Sequence, residues 1–241
     1  MEIVAVNQIS PDQVILWSWG FITINVTIIY TWLVMAILVG GSWLITRNLS
    51  TDINTSRWQH LLEVVISTIR SEIQEMTKKG ADDYIPLIGT LFLFICLSNV
   101  LAIVPGYVPP TASLMTTAAL AICVFIAVPM YGISRNGLLH YLKEYFQPNF
   151  IFFPFHIMGE ISRTLALTVR LFGNIMSHEK VIGILLSVTP LVFPVIMQAL
   201  GLLIGVIQAY IFAILSMVYI ASALGAEEEF RLEVKSEGIP A

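Results

Sequence analysis

Residues 156–180 read HIMGEISRTLALTVRLFGNIMSHEK and hold Glu160, Arg163, Arg170, Glu179 and Lys180 in an otherwise apolar run. Wound as a helix at about 100° per residue with Arg170 at zero, Arg163 falls near 20°, Asn174 near 40°, Ser177 near −20° and Glu160 near 80°. These side chains share one polar stripe, while Glu179 falls near 180°, on the back of the helix. The chemistry of such a pattern is that of fixed charge. A cationic face attracts, orients or blocks ions, and a titratable carboxylate follows roughly two to three turns later.

A charged side chain at the centre of a bilayer costs about 2.5–3.5 kcal/mol on translocon scales, so each of these charges needs a partner, water or an interface. Glu160 stands at i,i+3 from Arg163 and can pair with it, and Lys180 can snorkel to an interface. Arg170 has Ala166 and Asn174 at i∓4 and Leu167 and Gly173 at i∓3. No local carboxylate neutralises it, so its counter-charge has to come from another element.

The remaining polar groups are sparse. Gln208, in GVIQAYIFAIL, is the deepest hydrogen-bonding side chain of the last apolar segment, with Tyr210 and Ser216 beyond it. Gln208 and Asn99 can each serve an ion path or simply bond helix to helix. His178, an imidazole able to exchange a proton near neutral pH, either lines a wet cavity or marks a helix end. His140 and His156 flank apolar segments and read as interfacial. Cys96 and Cys123 sit in apolar runs as filler, with no metal-ligand spacing and no disulfide framework. No GxxxxGK[ST], GxGxxG, HExxH or GxSxG occurs, and no nucleotide site, cofactor or metal is expected on this chain.

The elements that must position these groups follow from composition. Of 241 residues, 57% are hydrophobic and 12% charged, against roughly 25% charged in a soluble domain; mean hydropathy is +0.84. A soluble enzyme, a disordered chain and, at a net charge of −4 without a basic patch, a nucleic-acid binder are excluded. The chain reads as an all-α polytopic membrane protein. Spans are expected at about 21–45, 84–104 and 113–133, with an interfacial amphipathic helix at about 58–78 whose Leu61, Leu62, Val65, Ile69 and Ile73 fall at helical spacing. Two longer segments, about 156–188 and 197–224, flank a short linker containing Pro190 and Pro194. At 1.5 Å per residue each approaches about 42–45 Å, more than the roughly 30 Å hydrocarbon core, so a steeply tilted hairpin is expected. No internal repeat or second-domain linker is visible, and residues 1–241 read as one membrane domain.

Arg47, Arg57, Arg70, Lys78 and Lys79 lie between the first two spans, and Arg135 and Lys143 just after the third. The N-terminal segment and the 105–112 loop have no Lys or Arg. The positive-inside rule therefore sets the N-terminus outside and the 47–83 and 135–148 segments in the cytoplasm. The hairpin returns the C-terminus to the cytoplasm, where Arg231 and Lys235 stand against five glutamates. With no cation before its first apolar stretch, the N-terminus does not look like a secretory signal or transit peptide. A multi-pass protein of a bacterial plasma membrane is the expectation.

RTLALTVRLFGN resembles the signature of subunit a of the F-type ATP synthase membrane sector, and LSNVLAIVP and IQAYIFAILSMVYI resemble two further characteristic stretches in the same order. The resemblance covers essentially the whole chain. It implies a non-catalytic stator subunit whose two long inclined helices face a rotating ring of c subunits. The implied partners are that ring, the b-type peripheral stalk subunits, the rest of the complex and the lipid bilayer, with no nucleic acid. By resemblance, Arg170 matches the essential arginine, Asn174 the asparagine one turn on, and Gln208 the glutamine that faces the arginine. Glu179 matches the carboxylate of the outer half-channel, Asn99 the asparagine lining it, and Arg163 a position that is usually basic. Three positions depart from the pattern: Ala102 where some members are acidic, Gly201 where some carry histidine or glutamate, and Ala119 where a polar residue is common. His178 is a candidate to replace part of that lost polarity. The implied activity is coupling of proton, or sodium, movement through two offset half-channels to rotation, for ATP synthesis or ATP-driven pumping. The competing expectation is a secondary transporter with an intramembrane anion site at Arg163 and Arg170, which the missing internal repeat disfavours.

Overall fold

The computed structural model describes residues 15–19, 22–47, 57–76, 81–104, 106–137, 153–189 and 193–236. His140, Lys78, Lys79, Lys143 and Pro190 lie outside them, as do the side chains of Arg57, Arg135 and the tail beyond Ser222. Among the described residues the architecture is a bundle of six α-helices: α1 (Val26–Thr46), α2 (Arg57–Met76), α3 (Ala81–Val100), α4 (Leu114–Asn136), α5 (Phe153–Val188) and α6 (Phe193–Ser236). A small antiparallel pair, β1 (Ile15–Trp19) and β2 (Ile22–Asn25), precedes them. Its alternating Ile15, Trp17, Trp19, Ile22 and Ile24 are residue types that suit a pleated surface. The first helix therefore opens at Val26, and Ile22–Asn25 belong to the strand pair.

Among the described residues four segments are long and apolar enough to cross a membrane: Val26–Ile45, Asp82–Ile103, Leu114–Ser134 and Phe193–Ser222. The 36-residue α5 has the length, but its five charges keep its composition below that of the others. At 1.5 Å per residue α5 runs about 54 Å and the 44-residue α6 about 66 Å. α6 begins just before Pro194, a place in the first turn where a missing N–H costs no helical bond.

One core cluster joins Leu91 and Ile95 of α3, Ala121 and Val124 of α4, Leu167 and Leu171 of α5, and Phe212 of α6. A second ties Ile73 of α2 to Tyr84 and Ile88 of α3, Val128 of α4, and Met217 and Ile220 of α6. Leu62, Val65, Ile69 and Ile73 of α2 are buried or half-buried, while Glu63 and Arg70 are exposed, and Arg70 pairs with Asp82 at 2.8 Å where α3 begins. α1 is peripheral: Trp32, Val39 and Trp43 are all more than half exposed. Apolar surface on that scale suits hydrocarbon rather than water.

α3 tightens into a 3-10 turn at Leu101–Ile103 and the chain leaves it extended at Val104. Gly106 then takes φ +87, in the left-handed region that glycine enters without a Cβ penalty. A second 3-10 turn, Pro110–Ala112, is buried and leads to Ser113, whose Oγ accepts the Thr116 N–H at 3.4 Å to cap α4. Tyr30 of α1 donates to Gly106 O at 2.9 Å and packs edge-on against Tyr107. The loop is thus fixed from both sides.

Candidate functional site

α5 buries Leu167, Thr168, Leu171 and Ile175. On the wheel centred on Arg170 these span about 60° to 160°. Arg170 lies outside that arc and is exposed, Asn174 sits at its edge and is half-buried, and Glu179 lies just past its other edge, also half-buried. The apolar spacing that packs α5 thereby fixes which charges face outward.

Arg163 and Arg170 share the outward side of α5 but not their surroundings. Arg163 Nη1 donates to Glu160 Oε1 at 3.3 Å, and its guanidinium sits 5.5 Å from the Tyr219 ring centroid on α6. Among the described residues Arg170 has no ion pair or hydrogen bond. One turn on, Asn174 Nδ2 donates to Gln208 Oε1 at 3.4 Å, a bond between α5 and α6. Gln208 is 5% exposed, and its Nε2 is buried without a partner among the described residues. The structure thus joins Gln208 to Asn174, next to Arg170, rather than to Arg170 itself.

Glu179 and His178 line a cavity of about 150 Å³ together with Asn99 of α3, Gln198 and Gly201 of α6, and Tyr107 of the loop after α3. Asn99 is committed at both ends of its amide. Its Nδ2 donates to Gly205 O at 2.9 Å and its Oδ1 accepts from Thr111 Oγ1 at 2.7 Å. It therefore borders the cavity and pins α3, the Pro110–Ala112 turn and α6 together. A Cβ at Gly205 would lie 2.8 Å from Asn99 Cβ, so the close approach of α3 to α6 requires glycine there. Gln198 Nε2 donates to Ala102 O at 3.1 Å. That carbonyl is available because α3 has ended in its 3-10 turn. At the position where an acid was wanting, the backbone itself supplies a polar atom.

The seven candidate site residues are all described, and together with Glu160 they fall into three groups. Glu160 and Arg163 form one end, Arg170 with Asn174 and Gln208 the middle, and His178, Glu179 and Asn99 the other end. Arg170 and Glu179 are about 14 Å apart along the helix axis by rise alone. Gln198, Tyr219, Thr111 and Gly205 escaped the sequence reading. The Gly201–Gly205 pair one turn apart on an apolar helix was the available signal, since small residues at that spacing mark close helix packing. Among the described residues no three His, Cys, Asp or Glu side chains converge to hold a metal ion.

Residues 28–221 match the family model described as ATP synthase A chain. The chain belongs to the ATP synthase A chain family. Over 216 residues it is 60% identical to ATP synthase subunit a 2 of Acaryochloris marina, covering 90% of this chain and 92% of that one. It is 55% identical to ATP synthase subunit a 1 of Chlorobaculum parvum, over 92% of this chain and 98% of the relative. It is likewise 55% identical to ATP synthase subunit a of Albidiferax ferrireducens, over 90% and 94%. Membership makes this an integral membrane protein of the ATP synthase, consistent with its spanning helices.

Proposed function

We propose that the outward side of α5 around Arg170 is the stator surface past which a ring of c subunits turns, and that it couples proton movement to that rotation. The observation that carries this reading is the contrast on α5: Arg163 is answered by Glu160 and Tyr219, while Arg170 stands exposed without a partner among the described residues. A guanidinium is permanently charged, so an unpaired one in a helix of this kind suits a counter-charge that arrives from outside the chain.

The mechanism follows from that charge. A ring carboxyl, neutral while it faces lipid, is driven to ionise as it approaches Arg170, because a nearby cation favours the charged form. Its proton leaves toward the cytoplasmic side in the synthesis direction. An emptied carboxylate is reloaded from the outer side through the Glu179 cavity. Arg170 also bars direct passage between the two paths, as cationic barriers do in other pores. The Asn174–Gln208 bond holds α5 to α6 beside the guanidinium without neutralising it. The Glu179 cavity includes Tyr107 of the loop that the distribution of Lys and Arg sets outside, which supports outer access there and a cytoplasmic C-terminus. One elementary charge crossing 100 mV releases only about 2.3 kcal/mol, so several steps must accumulate per ATP. The b-type stalk holds the stator against the resulting torque.

The test is ATP-driven acidification of vesicles carrying the whole complex, followed with a pH-sensitive dye. Arg170→Ala abolishes acidification while the complex still assembles. Normal acidification by that variant overturns the assignment.

A further inference from the structure

A second cavity, of about 150 Å³, lies between α2, α3 and α6, away from the charged side of α5. Val65 and Ile69 of α2, Phe92 of α3, and Ala213, Ile214 and Met217 of α6 are among its walls. Three polar side chains reach it: Thr68, Glu72 and Tyr210. Thr68 Oγ1 is committed to Val64 O at 2.8 Å. A cavity of this size walled by aliphatic and aromatic side chains stays dry and takes up apolar guests. A partner's helix, about 10–12 Å across, is too wide to enter it.

Two features show what kind of guest fits. The first is an apolar track. Ile196, Leu200, Leu203, Ile207 and Tyr210 of α6 are all exposed and share one stripe about 80° wide. Ile214, in the cavity wall, continues the same stripe. From Leu200 to Ile214 it runs about 21 Å along the axis, more than the roughly 15 Å that makes up half the hydrocarbon core. The second feature is charge at the cavity's rim. Glu72 is half-buried there beside the Tyr210 phenol, and Glu75 follows about 60° around α2. Arg70 lies about 160° from Glu72 on the same helix and is paired with Asp82. Among the described residues no cation answers Glu72.

We propose that this cavity holds an acyl chain of a membrane phospholipid with an ethanolamine head. The upper part of the chain fills the space between α2 and α6, and its end follows Ile207 and Leu203 into the bilayer. The head stays at the surface helix α2, where its ammonium meets the Glu72 carboxylate. An anionic head would meet Glu72 and Glu75 as like charges, which disfavours it. The lipid thereby supplies packing between two helices that side chains leave open. The stator reading of Arg170 plays no part in this inference, and failure of either leaves the other standing.

The experiment uses the whole complex in proteoliposomes that contain phosphatidylethanolamine with a photoactivatable diazirine near the ester end of one acyl chain. A parallel sample contains phosphatidylglycerol with the same chains. After irradiation, labelled peptides of this subunit are mapped by mass spectrometry. Label is expected on both walls of the cavity, around Val65 and Ile69 and around Ala213 and Met217. The ethanolamine lipid should label them about five-fold more than the glycerol lipid, the upper range for a partly exposed ion pair. Glu72→Gln should bring the two lipids within about two-fold of each other. Val64→Trp puts an indole into the cavity from a half-exposed position. It should lower labelling by both lipids at least about ten-fold, because two or three methylenes lose their burial. Ile214→Phe fills the cavity from α6 and serves where Val64→Trp does not assemble. The proposal is overturned by unlabelled cavity walls, by equal labelling with the two lipids, or by a preference that survives Glu72→Gln. Labelling that an assembled filled variant does not lower, or cross-links from these walls to another subunit in place of lipid, overturns it equally.

Discussion

Arg163 and Arg170 are the same residue type, two turns apart on nearly the same line of one helix, and the molecule treats them oppositely. Arg163 has a carboxylate at i−3 and an aromatic face from α6, so its charge is spent inside the chain. Arg170 has alanine at i−4 and asparagine at i+4, and the amides beside it bond each other. Charge alone does not make a working site. What distinguishes the second arginine is the removal of every local partner while its neighbours are fixed in place.

The sharpest way to break this comparison is Arg170→Lys, which retains a positive charge but loses the planar fork and the guaranteed protonation. ATP-driven acidification is expected to vanish as in Arg170→Ala; a working lysine variant would reduce the site to a point charge. Next, Ala166→Glu gives Arg170 the acid that Arg163 already has, at i,i+4 spacing. With Ala166 exposed, the helix should tolerate it, and acidification should fall by roughly an order of magnitude because the guanidinium is now answered within the chain. Undiminished acidification would show that isolation of Arg170 is unimportant. A smaller effect is expected from the support. Asn174→Ala and Gln208→Ala should show a coupling energy of about 0.5–1.5 kcal/mol in a double-mutant cycle on stability; strict additivity would mean that their bond holds nothing. Smallest is Tyr219→Leu, which takes the aromatic face from Arg163 and should cost about 0.5–1 kcal/mol in thermal stability, with acidification changed by less than about two-fold.

Much of the site was legible because it is local. The Glu160–Arg163 pair, the absence of an acid near Arg170 and the position of Glu179 behind it all follow from spacing on a 3.6-residue helix, and α5 forms as that wheel requires. The ends of elements were less legible. Ile22–Asn25 are apolar enough to extend a span, yet their β-branched alternation pairs them with Ile15–Trp19. Asn99 reads in sequence as a channel group or a packing group; in the structure its amide ties three segments at the border of the cavity. Sequence spacing cannot weigh those roles, because its partners Thr111 and Gly205 are 12 and 106 residues away.

The sequence by itself determined the solvent and the charge. Scarce polar residues require hydrocarbon around most of the chain, and an arginine without a neighbouring acid requires its partner from elsewhere. Only the tertiary structure decided which distant atoms meet: Asn174 with Gln208, and Gln198 with the freed carbonyl of Ala102. Periodicity within a helix fixes the direction of each side chain about its own axis. It says nothing of the separation and rotation of a second helix, which are set by packing side chains of both into one dense core.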